Sequence, residues 1–147
     1  MAALYAHPLA IVLCSVASMG LGVLWYTRLF HRANQRFMYD NPDGVRSVPP
    51  AGVAKAFVAY VAVAIFTSWA FLVALELLRA GSTVMTARPA TLADEGAFVA
   101  LLWAGFFVPA ATNKLVWQFK PWQVAVIDGG YELVRVCVMW GIARLFA

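Results

Sequence analysis

"NKLVWQFKPWQVAVIDGGYELVRV", residues 113–136, is apolar and helix-compatible on both sides of Lys120-Pro121-Trp122. The chain is therefore expected to turn there and run back along itself as two helices. Inside this apolar hairpin sit Lys114, Asp128, Glu132 and Arg135. With Pro121 at the centre of the turn, Lys114 lies seven residues before it and Asp128 seven after it. In antiparallel helices those positions share one depth, about 10 Å from the turn at 1.5 Å per residue. An ion pair is expected there, with Asn113 beside it to donate or accept. Glu132 follows Asp128 by four residues and Arg135 follows Glu132 by three, so all three share a helical face.

The four charges sum to zero. One unpaired charge at mid-membrane costs about 3 kcal/mol on insertion scales. Asn113, Lys114, Asp128, Glu132 and Arg135 are thus expected to form a neutral intramembrane network turned toward protein. Such a network fixes helix register and neighbours. Intramembrane carboxylates also mark proton and ion paths. The structural role is preferred here because each acid has a base at hand.

The rest of the chain agrees with a membrane solvent. Of 147 residues, 63% are hydrophobic and 12% charged, too few polar groups to cover a soluble domain. The net charge of +4 does not indicate nucleic acid, because the bases stand at the ends of apolar runs and not on a basic domain. Four runs reach the roughly 20 residues needed to cross a bilayer, at about 8–30, 53–78, 96–119 and 121–146. The expected fold is a single all-α membrane domain over 1–147: a four-helix bundle whose third and fourth spans form a tight antiparallel hairpin. Residues 39–52 and 80–96 are rich in turn formers and read as loops. In the second, Thr91 suits an N-cap, with Asp94 and Glu95 in the first helical turn. Pro109 is expected to kink the third span. Glu76 and Arg79 are spaced to pair at the end of the second.

An even number of spans puts both termini on one side. Arg28, Arg32, Arg36, Arg46, Lys55 and Lys120 fall on the other side, against Arg79, Arg88 and Arg144 on the terminal side. The excess assigns the termini to the non-cytoplasmic (or intermembrane) side of a bacterial plasma membrane or a mitochondrial inner membrane. Arg28, Arg32 and Arg36, with Trp25, Tyr26 and Trp122, are placed at lipid head groups, anionic ones suiting the arginines. Cys14, Ser18 and Gly22 form a small-residue stripe for helix packing, and Gly129 and Gly130 permit close approach on the last span. The two cysteines lie in apolar runs with no metal-ligand spacing, so neither a metal nor a disulfide is expected.

Both ends of the chain resemble the DUF1761 family of small four-span membrane proteins. "GLGVLWYTRLF" at 20–30 and "VPAATNKLVWQFKPWQVAVIDGGYELV" at 108–134 carry the likeness. The matching positions are Gly22, Trp25, Tyr26, Pro109, Asn113, Trp117, Asp128, Gly130 and Tyr131. The resemblance implies the fold; it brings no activity, and it does not cover Lys114, Glu132 or Arg135.

No G-x-S-x-G, H-E-x-x-H, P-loop or dinucleotide fingerprint occurs in the sequence. His7 and His31 lie outside the span interiors, so a haem or di-metal centre lacks a histidine pair. No cofactor is expected, and the chain is not read as an enzyme. The expected function is that of a non-catalytic, lipid-binding accessory subunit packed among other transmembrane subunits of a larger assembly, respiratory or otherwise energy-converting. A small transporter or proton-conducting protein using the charged face of the last span is the alternative. A membrane enzyme acting on a lipid or quinone, with Asp128 and Tyr131 at its site, is third.

Overall fold

The computed structural model describes residues 7–33, 50–86, 88–118 and 121–146, with side chains at 7–33, 54–55, 57–81, 88–113 and 121–146. Helix α1 spans Pro8–Leu24 and passes into a π-helical turn, Trp25–Leu29. Helix α2 spans Pro50–Thr86. Helix α3, Leu92–Leu102, leads through a second π-helical turn, Trp103–Phe107, into α4, Val108–Gln118. Helix α5 spans Trp122–Arg144. No strand occurs among the described residues.

The helix starts follow from local chemistry. Pro8 and Pro50 open α1 and α2, where a fixed φ helps and the missing N–H costs nothing. Thr91 caps α3 in a capping box. Its hydroxyl accepts from the Asp94 backbone N–H at 3.3 Å, and Asp94 Oδ2 accepts from the Thr91 N–H at 2.8 Å. Helix α2 is longer than the 53–78 span and takes residues from both expected loops. Pro50 explains the early start. At the far end, Gly81 costs about 1 kcal/mol in a helix and Ser, Thr and Met only tenths, too little to stop a helix already propagating.

Each π turn has a cause or a consequence. In the second, the Val108 N–H bonds to the Trp103 carbonyl, five residues back. Pro109 follows directly, and in a regular α-turn its ring would collide with the Gly105 carbonyl. Widening the preceding turn relieves that collision, so a π turn stands where a kink was expected. In the first, the Phe30 N–H reaches the Trp25 carbonyl at 2.8 Å, and Phe30 then leaves the helix at φ −115°, ψ 23°. The run from Arg28 to Arg36 is therefore not one continuous helix. Arg28 and Arg32 are exposed on either side of the break. Arg36 lies outside the described residues.

Three stretches, Pro8–Leu29, Phe57–Gly81 and Leu92–Asn113, are long and apolar enough to cross a membrane. Helix α5 has the length, 23 residues, but carries Asp128, Glu132, Arg135 and Arg144. This most charged helix touches every other: it packs extensively on α1 and α4 and more lightly on α2 and α3, while α2 packs on α1. Glu95 at the start of α3 meets Trp140 and Arg144 at the end of α5, so the two rods run antiparallel.

The bundle divides into two halves of different character. The half holding the start of α1, the end of α2, the start of α3 and the end of α5 is packed dry around Ala10, Cys14, Leu72, Leu75, Val136 and Met139. The half holding the end of α1 and the start of α5 is polar inside.

Candidate functional site: a polar cavity in one half of the bundle

Asp128 is the centre of the polar half. It is buried, and the Tyr26 hydroxyl donates to its Oδ1 at 2.8 Å. Two tryptophans hold the α5 backbone on either side of it. The Trp25 indole N–H donates to the Ile127 carbonyl at 3.2 Å, and the Trp103 indole N–H donates to the Gly129 carbonyl at 2.8 Å. Each of these tryptophans is the first residue of a π turn. The widened turns thus bring α1 and α3 side chains onto consecutive peptide groups of α5. At Gly130 a Cβ would make only ordinary contact with the Trp25 ring, at 3.5 Å.

A second set of hydroxyls meets at Gly22. Tyr131 donates to the Ser18 carbonyl at 3.2 Å. A Cβ on Gly22 would lie 2.7 Å from the Tyr60 hydroxyl and 3.1 Å from that of Tyr131. Only glycine admits both.

Glu132 and Arg135 pair one turn further along, Oε2 to Nη2 at 2.6 Å. The Arg135 guanidinium also lies over Phe107 and Tyr131, 5.5 and 5.7 Å from their ring centroids. Between these groups lie two adjoining cavities. One of about 170 Å³ is lined by Phe107, Ala110 and Asp128, among others. The other, about 340 Å³, is lined by Gly22, Val23, Tyr60 and Arg135. Tyr26, Tyr131 and Glu132 line both. The space is roomy and polar enough for several waters or for one ring-sized ligand.

Similarity decides the family at this point. The family described as "Protein of unknown function (DUF1761)" matches residues 9–143. The chain belongs to the DUF1761 family. Searches of curated proteins and of solved structures give no match. The matched span of this family member takes in both halves of the bundle.

The sequence-predicted residues distribute unevenly over the site. Asp128, Glu132 and Arg135 share the cavity wall. Asn113 is exposed on α4. The Lys114 side chain, and with it the expected Lys114–Asp128 pair, lies outside the described residues, as do Trp117 and Lys120. Cys14, Ser18, Gly22 and Gly129 are buried. Trp122 is exposed. Trp25 and Tyr26, expected at lipid head groups, turn inward onto α5, because the π turn adds a residue and faces both toward that helix.

A polar cluster at the opposite end escaped sequence reasoning. Glu95 is 1% exposed. It accepts from Arg79 Nε at 2.7 Å, Trp140 Nε1 at 2.7 Å and Arg144 Nη1 at 3.5 Å. Arg79 also holds Glu76 at 2.5 Å, the pair its spacing suggested. The missed signal was topological. Arg79 closes the second span, Glu95 opens the third and Arg144 closes the last, so all three had to arrive at one end of an antiparallel bundle. The Asp94–Arg88 pair at 3.0 Å stands on the exposed side of the same end.

Proposed function

We propose that this protein crosses the membrane four times, α5 being the fourth crossing, and binds a small molecule in a cavity that enters from one side only. The observation that carries this reading is the division of the bundle. Polar groups line one half, and the Ala10–Cys14–Leu75–Met139 core fills the other. A charged helix is compatible with a bilayer when its polar face is sheltered, and α5 is the helix that contacts all the others. A path for protons or ions needs polar groups without a break, and the Ala10–Cys14–Leu75–Met139 core stands between the cavity and the Glu95 cluster at the other end, so a dead-end binding site is favoured over conduction. Binding is favoured over catalysis because the polar groups occupy one another: Tyr26 gives its proton to Asp128, and Arg135 faces Glu132. The exposed Arg28 and Arg32 would mark the cytoplasmic or matrix end, where the cavity opens.

The test is cysteine reactivity in reconstituted vesicles, with Cys14 and Cys137 replaced by serine. Ala110→Cys, in the cavity wall, should react with a membrane-impermeant maleimide from one side only. Leu72→Cys, in the dry half, should react from neither. Labelling of both from both sides, or proton flux through the vesicles, would replace this reading with a conducting one.

A second reading, an accessory subunit of a larger assembly, has its own support. Leu101 and Phe106, on the rod from Leu92 to Asn113, are each 71% exposed, a face free to pack on another transmembrane helix. Co-purification of a stoichiometric partner from the native membrane, lost in Leu101→Ala/Phe106→Ala, is its test.

A further inference from the structure

Helix α5 carries two adjacent glycines, Gly129 and Gly130, that its packing does not require. Gly129 is buried, yet a Cβ there would meet no described atom within 4 Å. At Gly130 a Cβ would touch only the Trp25 ring, at an ordinary 3.5 Å. Neither glycine has the left-handed φ that disfavours other residues. The unusually close approach expected at this pair does not occur among the described residues. Glycine is nonetheless among the poorest helix formers, and glycine pairs are among the places where helices kink.

The backbone around the pair is prepared for such a kink. In an α-helix the Tyr131 N–H bonds to the Ile127 carbonyl and the Leu133 N–H to the Gly129 carbonyl, and both bonds cross the pair. Those two carbonyls already accept from the Trp25 and Trp103 indoles. Each keeps a donor when the helix opens there, which is how interrupted helices are tolerated in lipid. The Tyr131 N–H that is released belongs to a residue lining both cavities, where water can accept from it. The two segments of α5 are anchored unequally. Val136, Met139 and Ala143 fix the later one in the dry core. In the earlier one Val124 is buried, while Trp122 and Val126 are exposed. Trp25 and Tyr26 tie this earlier segment to the end of α1, and α1 has its own irregular turn at that level.

We propose that α5 bends at Gly129–Gly130 and that this bend gates the cavity. The segment from Trp122 to Asp128 moves together with the end of α1 and withdraws from the wall formed by Phe107, Ala110 and Ala111. The proposal rests on the cavity reading above and adds how the site is entered.

Maleimide labelling rates test it on the full chain in vesicles, again with Cys14 and Cys137 replaced by serine. Ala111 lines the smaller cavity and is 6% exposed, so Ala111→Cys reacts only through opening. Ala110 is exposed in the same wall, so Ala110→Cys does not wait for it. Gly129→Ala/Gly130→Ala should slow labelling of Ala111→Cys about tenfold or more, leave that of Ala110→Cys unchanged and raise the thermal midpoint. Gly141→Ala, in the same helix with no described atom within 4 Å of a Cβ, should raise the midpoint and slow neither reaction. Hydrogen exchange over residues 131–135 should slow in the double variant and not in Gly141→Ala. Unchanged labelling of Ala111→Cys in the double variant overturns the gate and leaves the cavity reading standing. So does an Ala111→Cys that never reacts while Ala110→Cys does, exchange over 131–135 that ignores the two alanines, or equal slowing by Gly141→Ala. A double variant that unfolds earlier or fails to fold overturns it as well, because the glycines are then required by the closed packing. If Ala110→Cys is labelled from neither side, the gate and the cavity reading fall together.

Discussion

Gly22 and Glu95 show how much single positions decide. Gly22 reads in the sequence as one member of a small-residue stripe. In the fold it is the point where two tyrosine hydroxyls converge on α1, the nearer one only 2.7 Å from where a Cβ would stand. Gly22→Ala should cost about 1–3 kcal/mol as the hydroxyls are displaced. Gly20→Ala, with nothing within 4 Å, should be neutral or stabilising by up to about 1 kcal/mol. Thermal unfolding of the two variants in one detergent compares them directly, and equal midpoints would refute the convergence. At Glu95 the asymmetry of buried ion pairs applies. Glu95→Ala takes from Arg79, whose side chain is 17% exposed, one of its carboxylate partners while Glu76 stays, removes the acceptor of the Trp140 indole N–H, and should destabilise by about 1–3 kcal/mol. Glu95→Gln keeps an acceptor for Trp140 and should cost less. If the alanine and glutamine variants unfold together, the carboxylate is not what secures that end.

At the scale of elements, the π turns separate what periodicity reveals from what it hides. A π turn is an α-helix with one extra residue, so removing that residue heals the helix and leaves both flanks facing as they do now. Deleting Gly105 should therefore keep Glu95 in its cluster and Ala111 against the cavity, with loss confined to the Trp103–Gly129 contact. Deleting Ala100, from regular helix, rotates one flank against the other by about 100° and should prevent either Glu95 or Ala111 from reaching its place. The yield of monodisperse protein from the two deletions measures this. Neither π turn was legible beforehand, since no residue pattern announces one. Pro109 gave the nearest hint, because its ring forbids a regular turn there. The rods were legible from length and hydropathy, and the hairpin from Pro121. The inward turn of Trp25 and Tyr26 was not: every face of α1 is apolar, and Val12 and Val16, at 55% and 63% exposed, look like core residues to any pattern.

For the whole molecule, α5 is the organising helix because it is the least suited to lipid. Its charges were readable as a set: spacing put Asp128, Glu132 and Arg135 on one face, and the structure gathers them on one wall. Their partners from other helices were not readable, because Tyr26, Tyr60, Trp103 and Phe107 come from segments whose facing is fixed only by assembly. The Glu132–Arg135 pair tests how that wall is held. Replacing Glu132 by Gln alone leaves a guanidinium uncompensated in the interior and should cost about 3–5 kcal/mol. The double replacement Glu132→Gln/Arg135→Met should recover most of that, and unfolding in a mild detergent would show it. A double variant no more stable than the single one would mean the pair contributes more than mutual neutralisation.

The order in which these helices are made has a bearing on how the protein reaches its membrane. Translation delivers α5 last, after three segments that an insertion machinery would accept on their apolarity alone. Under the four-crossing reading, α5 has to be received by the helices already in place, since released singly it would carry Asp128, Glu132 and Arg135 into acyl chains. A chain stopped after residue 120 would leave Trp25 and Trp103 without the backbone they hold and Glu95 without Trp140 and Arg144. Such a fragment exposes what a quality-control protease recognises, so completeness of the nascent chain and survival of the protein are tied to the same helix.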